Sequence, residues 1–178
     1  MSVNLSLAKS HCRVTSSSED TIITAYLNAA IAFVENYTRK KLTASTAVSQ
    51  TFNRFPPDMN GASTGFLLSW GPSPAAVVVS YTDTAGGAQT LTTAGGTARL
   101  SGNMVYPALD AEWPEAAENS VVSIAYTVGY ATTPADLDAA VLLLVGEYYD
   151  NRSAGMASPA TTAAVHSLCE PFRTPSLR

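Results

Sequence analysis

The chain has 178 residues, of which 46% are hydrophobic and 13% are charged, and its 10 basic and 14 acidic side chains give a net charge of −4. This length suits one domain with a core that needs no disulfides. The only basic cluster is Arg39-Lys40-Lys41, so tight binding to nucleic acid phosphates, which needs several convergent cations, is not expected. So few charges favour a surface that is partly covered by other copies of the chain.

Neither the cysteines nor the apolar segments indicate secretion or a membrane. Cys12 and Cys169 fit no metal-binding spacing, so we expect free thiols in a reducing compartment. Lys9 and Arg13 stand where a signal peptide would be apolar. The longest apolar run, residues 139–145, is far shorter than the roughly 20 residues of a membrane span. The sequence predicts a soluble protein made in the cytosol, with no membrane segment.

The N-terminal part predicts two helices. Residues 5–12 favour a short helix, and Ser17 with Asp20 approximates a capping box at the start of a long one. The long helix is expected to end near Lys40, because basic residues suit the negative end of the helix dipole. Its apolar residues recur at intervals of three and four, which is typical of a helix with one buried face. The predicted core residues on this stripe are Ile23, Tyr26, Leu27, Phe33 and Val34.

Residues 43–131 predict a β-rich insertion. Threonine, glycine and proline become frequent, and short β-type runs alternate with turns. Gly86-Gly87 lies between two such runs and predicts a hairpin, while Trp113 is interpreted as a loop anchor packed on the sheet. Several short strands separated by turns favour a small antiparallel sheet or barrel. The predicted strands are 48–55, 66–70, 77–82, 88–92 and 121–128.

A second long helix follows the insertion. Thr133 is the expected N-cap and Pro134 the first helical residue. Leu142 and Leu143 widen the apolar stripe, so we expect burial on two sides, and Gly146 favours a close approach by another element. The predicted core residues are Leu137, Val141, Leu144, Val145 and Tyr148. A loose connector at 153–158 and a weaker helix at 159–169 complete the chain.

These elements predict an α+β fold. Long helices pack together as a helical bundle core, and a small antiparallel β-sheet or barrel lobe is inserted between them. We expect a single domain over residues 1–178. Its segments are the N-terminal helices (1–42), the insertion (43–131), the second long helix (132–152) and the C-terminal segment (153–178).

No set of residues predicts a catalytic, metal or cofactor site. His166 and Cys169 are three residues apart and could touch on one helical face, but a third partner to orient them is not evident. Metal ligands at short spacings are missing, and the glycines do not form a phosphate-binding loop. Carboxylate pairs for glycoside hydrolysis would have to come from a proline-containing loop without a groove signature, which holds Asp110, Glu112, Glu115 and Glu118.

Four segments of the chain together match a known pattern. The first is LSLAKSHCRV at 5–14, ahead of an acid-capped helix. The second is Trp113-Pro114, which is followed by a strand, Gly129-Tyr130 and PADL. The third is AVLLLV at 140–145, which runs into YYDNR, and the fourth is Leu168 followed by PFR. In this order they resemble the head–tail connector (adaptor) family of long-tailed bacteriophages and prophages.

Two features depart from the family pattern. Cys12 and Cys169 stand where leucine is commoner, and Arg39 follows Thr38 where a glycine is expected. The insertion matches only in its pattern of strands and turns. The end of the first long helix is therefore expected to differ from that of the family.

The resemblance implies a structural virion protein of the head–tail interface, made in the host cytoplasm, and no enzymatic activity. Family members form a homo-oligomeric ring, commonly of twelve subunits, that binds below the portal protein and extends the DNA channel. DNA would pass through it without sequence-specific binding. The ring also presents a surface for a tail-side connector or tail-terminator protein. The mildly acidic composition fits such a channel, because DNA is not retained by an acidic lumen.

The candidate portal or subunit contacts are Tyr149, Arg152, Phe172 and Arg173. Arginine can bind carboxylates or carbonyls with two donors, and tyrosine offers rigid contact area. The alternative is that Tyr148 belongs to the core and Arg152 only caps its own helix. Two alternatives to a connector also stay open: a β-lobe binding module of a tail or baseplate host-recognition component, and an enzyme, for example a hydrolase.

Overall fold

The computed structural model describes three stretches of the chain: residues 3–57, 64–152 and 158–174. The chain divides into two compact units, of which one combines Met1–Ala44 with Tyr130–Arg178 and the other is Ser45–Gly129. The first unit is helical and the second is built from antiparallel strands, so a mixed α and β architecture is confirmed. The assignment of a single domain with an insertion at 43–131 stays a prediction.

The described part of the helical unit contains four α-helices and a short 3₁₀ helix. They are α1 (Leu5–His11), α2 (Asp20–Thr38), α3 (Ala135–Asp150), α4 (Pro159–Cys169) and the 3₁₀ helix Glu170–Phe172. α2 packs against α3, α3 packs against α4, and α1 contacts both α2 and α3. Only α2 and α3 are clearly longer than about three turns, so a core of long helices forming a bundle is not confirmed. Most of the connector predicted at 153–158 lies outside the described residues.

The core of the helical unit uses one side of each long helix. Tyr26 and Tyr148 are half-buried and face each other, with ring centroids 6.2 Å apart. Phe33 was wrongly placed in the core, because it is 38% exposed: successive helical residues point about 100° apart, and its neighbour Val34 takes the inward position. Leu143 is 37% exposed, so α3 is not buried on two sides. The predicted stripe residues that are buried are Ile23, Leu27, Val34, Leu137, Val141, Leu144 and Val145.

The ends of α2 differ from the prediction. The helix starts at Asp20, whose carboxylate pairs with the Lys9 ammonium and is therefore not used to build a capping box with Ser17. At the other end the helix stops at Thr38, two residues before Lys40, because Arg39 adopts a left-handed conformation with φ 58°. A left-handed residue directly after the last helical turn is a common helix terminator, and glycine is the residue that usually occupies it.

α3 begins at Ala135, directly after Pro134. Thr133 does not cap it, since its hydroxyl donates instead to the backbone oxygen of Leu42 at 3.1 Å. Gly146 allows α1 to approach closely, as expected, because a Cβ at this position would lie 3.1 Å from Nε2 of His11. Thr133 therefore holds the chain that follows α2, rather than the start of α3.

The β unit contains seven strands among its described residues: β1 (Thr46–Phe52), β2 (Phe66–Leu67), β3 (Ala75–Thr82), β4 (Ala88–Thr92), β5 (Ala98–Ser101), β6 (Met104–Pro107) and β7 (Val122–Val128). They form two antiparallel sheets, with strand orders β1-β7-β3-β4 and β2-β6-β5. The predicted hairpin is confirmed as β3–β4, with Thr82 paired to Ala88 around Gly86 at φ 85°. A closed barrel is not confirmed.

Every second residue of β7 contributes to the core of the β unit. Val122, Ile124, Tyr126 and Val128 are all buried, while the residues between them are half-buried or exposed. Trp113 packs onto the same core, with its ring centroid 5.2 Å from those of both Phe55 and Phe66. Its indole N–H donates to the Thr64 backbone oxygen at 2.8 Å, which confirms its role as a loop anchor.

The side chain of Gln50 links the two sheets. Its amide nitrogen donates to the Leu67 backbone oxygen at 2.9 Å, and its amide oxygen accepts from the Ser69 backbone N–H at 3.0 Å. The same oxygen accepts a hydrogen bond of 2.8 Å from the buried Tyr126 hydroxyl. One amide thus supplies the pairing that a backbone ladder would otherwise make between β1 and the segment that contains β2.

Candidate contact site at the two ends of helix α2

Two of the four predicted contact residues lie beside the start of α2. The Glu19 carboxylate accepts a hydrogen bond from the Tyr149 hydroxyl and another from the Arg152 guanidinium, both at 2.7 Å. The guanidinium carbon also lies 4.5 Å from the centroid of the Tyr149 ring. This group, called the Glu19 network below, joins the end of α3 to the start of α2 within one chain.

Within the Glu19 network, the contacts favour the ionised form of the Glu19 carboxylate and the protonated form of the Tyr149 hydroxyl. The Tyr149 hydrogen bond, followed by the Arg152 hydrogen bond, lowers the pKa of Glu19. The same contact with Glu19 raises the pKa of Tyr149, which therefore stays protonated and able to donate. Arg152 keeps 46% of its side chain exposed, so it has donors that this network leaves in solvent.

The other two predicted contact residues lie at the opposite end of α2. Phe172 packs against the helical core, and the Arg173 guanidinium lies 5.3 Å from the centroid of the Tyr37 ring. The Tyr37 hydroxyl donates to the Glu170 carboxylate at 2.7 Å, and that carboxylate is 3.6 Å from the Arg173 guanidinium. A backbone hydrogen bond of 3.1 Å from Thr174 to Thr38 holds the segment in place.

An aromatic stack continues this C-terminal cluster. The His166 ring lies parallel to the Tyr37 ring, with centroids 4.7 Å apart and an interplanar angle of 7°. Phe33 stacks on both rings at 6.3–6.4 Å. Burial raises the pKa of Cys169 to about 11, so its thiol is a poor nucleophile near neutral pH. The His166 ring is held in place by stacking on Tyr37 and Phe33.

Glu147 is a structural residue that the sequence did not reveal. Its carboxylate accepts hydrogen bonds of 2.8 Å from the Ser158 backbone N–H, the Thr161 hydroxyl and the Asn151 amide. These contacts, with the Ser158 backbone first, lower the pKa of Glu147. Ser158 and Thr161 stand 11 and 14 positions away, so no helical spacing signals the contact. The carboxylate thus joins the end of α3 to the start of α4, which the Ser158 hydroxyl caps by accepting from the Thr161 backbone N–H.

The acidic loop does not assemble a metal site. Glu115 and Glu118 line an open groove of about 850 Å³ in the β unit, together with Arg54, whereas Asp110 and Glu112 are not among its lining residues. Within residues 3–57, 64–152 and 158–174, no group of three potential ligands could hold a metal ion. In the same residues, no helix is long and apolar enough to cross a membrane.

The N-terminal third of the sequence matches a known family. The family model described as phage gp6-like head-tail connector protein matches residues 2–63. The resemblance to head–tail connectors inferred from the sequence is therefore confirmed. No curated protein sequence matches the chain.

Nearly the whole chain is similar to components of gene transfer agent (GTA) particles. A chain in the neck of an empty GTA particle, computed with C6 symmetry, is 25% identical, with a TM-score of 0.79 over 99% of this chain and 91% of that chain. A chain in the virion of a native GTA particle is 27% identical, with a TM-score of 0.76 and the same coverage. A chain in the neck of a native particle, computed with C12 symmetry, is 26% identical, with a TM-score of 0.70 over 100% and 94%. These matches support the predicted virion location.

Proposed function

From the match of residues 2–63 to the phage gp6-like head-tail connector family, we propose that this protein is the head–tail connector (adaptor) of a phage-like particle. In this proposal the chain forms a ring of twelve copies below the portal protein. The ring extends the DNA channel and offers the attachment surface for a tail-side connector or tail-terminator protein. The protein is structural and has no enzymatic activity.

The observation that carries this proposal is the similarity to neck proteins over almost the full length of both chains, 99% of this one and 91% of the other. A shared local motif would leave the β unit or the C-terminal segment unmatched. The low charge of the chain agrees with a subunit whose surface is extensively covered in an assembly.

The two ends of α2 supply the proposed contacts with the portal or with a neighbouring subunit. Arg152 and Arg173 each contact a carboxylate of their own chain, yet 46% and 51% of their side chains stay exposed. A guanidinium has five donors, so each of these arginines can bind an oxygen on a partner without giving up its own carboxylate. The Tyr149 ring orients Arg152 and the Tyr37 ring orients Arg173, while Phe172 anchors the C-terminal segment on the helical core.

The β unit is proposed to border the DNA path without gripping DNA. Acidic residues outnumber basic residues in Ser45–Gly129, where the loop with Glu115 and Glu118 carries no lysine or arginine. A surface of this sign repels phosphates and lets DNA slide. Sequence-specific contacts are not expected, since they require donors arranged along a groove edge.

Particle assembly with an Arg173→Glu variant tests the docking role. We expect DNA-filled heads without tails, because reversal of this charge places a carboxylate beside Glu170 and opposite the partner surface. Arg99→Glu is the matched control: Arg99 lies in β5, 5.2 Å from the Tyr106 ring, and its replacement should leave tailed particles at the wild-type yield. Wild-type yields of tailed particles for Arg173→Glu would contradict the docking role.

Localisation tests the function itself. Antibody labelling of purified particles should place the chain between head and tail, as a ring visible in averaged images of the neck. A chain found instead at the tail tip or baseplate would favour the alternative of a host-recognition module, whose binding surface would include the open groove of the β unit.

A further inference from the structure

One side of α2 is apolar and exposed. It consists of Ile22, Ala25, Ala29, Ala32 and Phe33, and is called the outer face of α2 below; Ile22 is 37% and Phe33 38% exposed. At 3.6 residues per turn, these positions fall within an arc of about 100°, on which the exposed Asn36 follows towards the end of the helix. No charged residue occurs between Asp20 and Glu35. A helix surface that faces solvent throughout normally carries charged or polar side chains over such a length.

The opposite side of the same helix is already occupied. Ile23, Leu27 and Val34 are buried in the core of the helical unit. α2 is therefore apolar on two sides, which is typical of a helix surrounded by protein rather than of a helix at a free surface. The outer face is accordingly expected to be covered in the assembled state.

α3 presents a second exposed apolar surface. Ala135, Ala139 and Leu143 are spaced four residues apart, are all exposed, and are called the outer face of α3 below. They span about 80° of the helix circumference, on the side away from the buried Leu137 and Val141. Since α2 and α3 share one core, both outer faces turn away from it, and they cannot meet within one chain.

Two opposite charges lie at the same end of the helical unit, the half-buried Lys40 and the exposed Asp136. Lys40 follows the end of α2, and Asp136 lies in the first turn of α3. Backbone contact between Tyr130 and Lys41 at 3.3 Å holds these two ends together. Among the described residues, neither Lys40 nor Asp136 forms an ion pair. Each of these two charges is therefore available to a charge of opposite sign on another chain.

We propose that the outer face of α2 packs against the outer face of α3 of a second copy of this chain, with Lys40 of one copy beside Asp136 of the next. The inference rests on the proposed function and names the partner of its helical unit. Alanines on both faces allow two helices to approach closely. Because the two faces are unlike, the contact is head-to-tail and can close into a ring, whereas a self-complementary face would stop at a dimer.

Disulfide trapping in assembled particles tests the contact. The full-length chain carries Ala32→Cys on α2 and Ala139→Cys on α3, and particles are oxidised gently before a non-reducing gel. We expect a ladder of covalent oligomers for the double variant and none for either single variant or for the wild type, which retains Cys12 and Cys169. Dimers from Ala32→Cys alone, or the lack of a ladder although the chain is present in particles, would overturn the proposal.

Charge reversal provides a second and independent test. Lys40→Glu and Asp136→Lys should each lower incorporation into particles at least about tenfold, because like charges then face each other, and the double variant should restore it. Thermal unfolding of each purified variant verifies that it is folded. If both single variants and the double variant entered particles equally well, the proposed ion pair between Lys40 and Asp136 would be refuted. Absence of even the wild-type chain from particle necks would instead contradict the proposed function.

Discussion

The Glu19 carboxylate accepts a hydrogen bond of 2.7 Å from the Tyr149 hydroxyl, although the two residues stand 130 positions apart in the sequence. Arg152 contacts the same carboxylate, so a single acid at the start of α2 holds two of the residues proposed to meet a partner. The end of α3 is thereby fixed before any partner binds, which lowers the conformational entropy that binding would otherwise cost.

The Glu19 network is tested by measuring the melting temperatures of Glu19→Gln and of the wild type as the pH is lowered. The hydrogen bonds of Tyr149 and Arg152 lower the pKa of Glu19 in the folded chain, so their stabilisation is complete above the unfolded value of about 4.3 and is lost as the pH falls through the folded value. Below about pH 4.3, the melting temperature of Glu19→Gln should therefore fall less steeply than that of the wild type. Glu115→Gln, which alters a groove carboxylate of the β unit, is the control. If the melting temperatures of Glu19→Gln and the wild type fell equally steeply with pH, the prediction would be refuted.

Gly146 is predicted to lower the stability of α3 while it allows α1 to lie close to this helix. Gly146→Ala removes a helix-interior glycine, which is worth up to about 1 kcal/mol, but its Cβ would lie 3.1 Å from Nε2 of the exposed His11 side chain. Because that ring tip can move, we expect a net stabilisation below about 1 kcal/mol, measured by urea denaturation. In a His11→Ala background the gain should be larger. If Gly146→Ala stabilised the chain more with His11 present than in the His11→Ala background, the prediction would be contradicted.

The sequence predicted features that depend on local periodicity. The strand predicted at 121–128 matches β7, and the 3.6-residue period located both long helices. Phe33 was wrongly assigned to the core, because the helical period shows which side of a helix is buried but not how wide that side is. Contacts such as those of Glu147 and Gln50 join residues that are far apart in sequence, so local patterns carry no signal for them.

Arg39 is predicted to cost stability because of its left-handed backbone at φ 58°. The family resemblance led us to expect glycine here, and glycine adopts this conformation without a steric penalty. Arg39→Gly should therefore be more stable than Arg39→Ala by about 1 kcal/mol, since both lack the arginine side chain and only alanine retains the Cβ. Chemical denaturation measures the difference, and equal stability of the two variants would show that no backbone penalty exists.

Gln50 and Tyr126 are predicted to stabilise the β unit through a shared hydrogen bond. Gln50→Leu also removes the hydrogen bonds to the exposed Leu67 carbonyl and Ser69 N–H, which water can replace, and should cost about 1 kcal/mol. Tyr126→Phe removes a single hydroxyl and should cost about 1 kcal/mol. Because both changes break the same hydrogen bond, the double variant should cost less than the sum of the two. Additive losses would indicate that the two side chains act independently.

Cys169 is predicted to resist alkylation in the folded chain. Burial raises its pKa to about 11, so at pH 8 only about one molecule in a thousand carries the thiolate, and the thiol itself is inaccessible. Iodoacetamide at pH 8 followed by mass spectrometry should leave Cys169 unmodified in native protein and label it fully in 6 M guanidinium. Cys12 is the internal comparison: it is half-buried, with a pKa that burial and Asp150 also raise, and it should react slowly but faster than Cys169. Rapid native labelling of Cys169 would mean that α4 opens readily from the core, since this helix holds the thiol there.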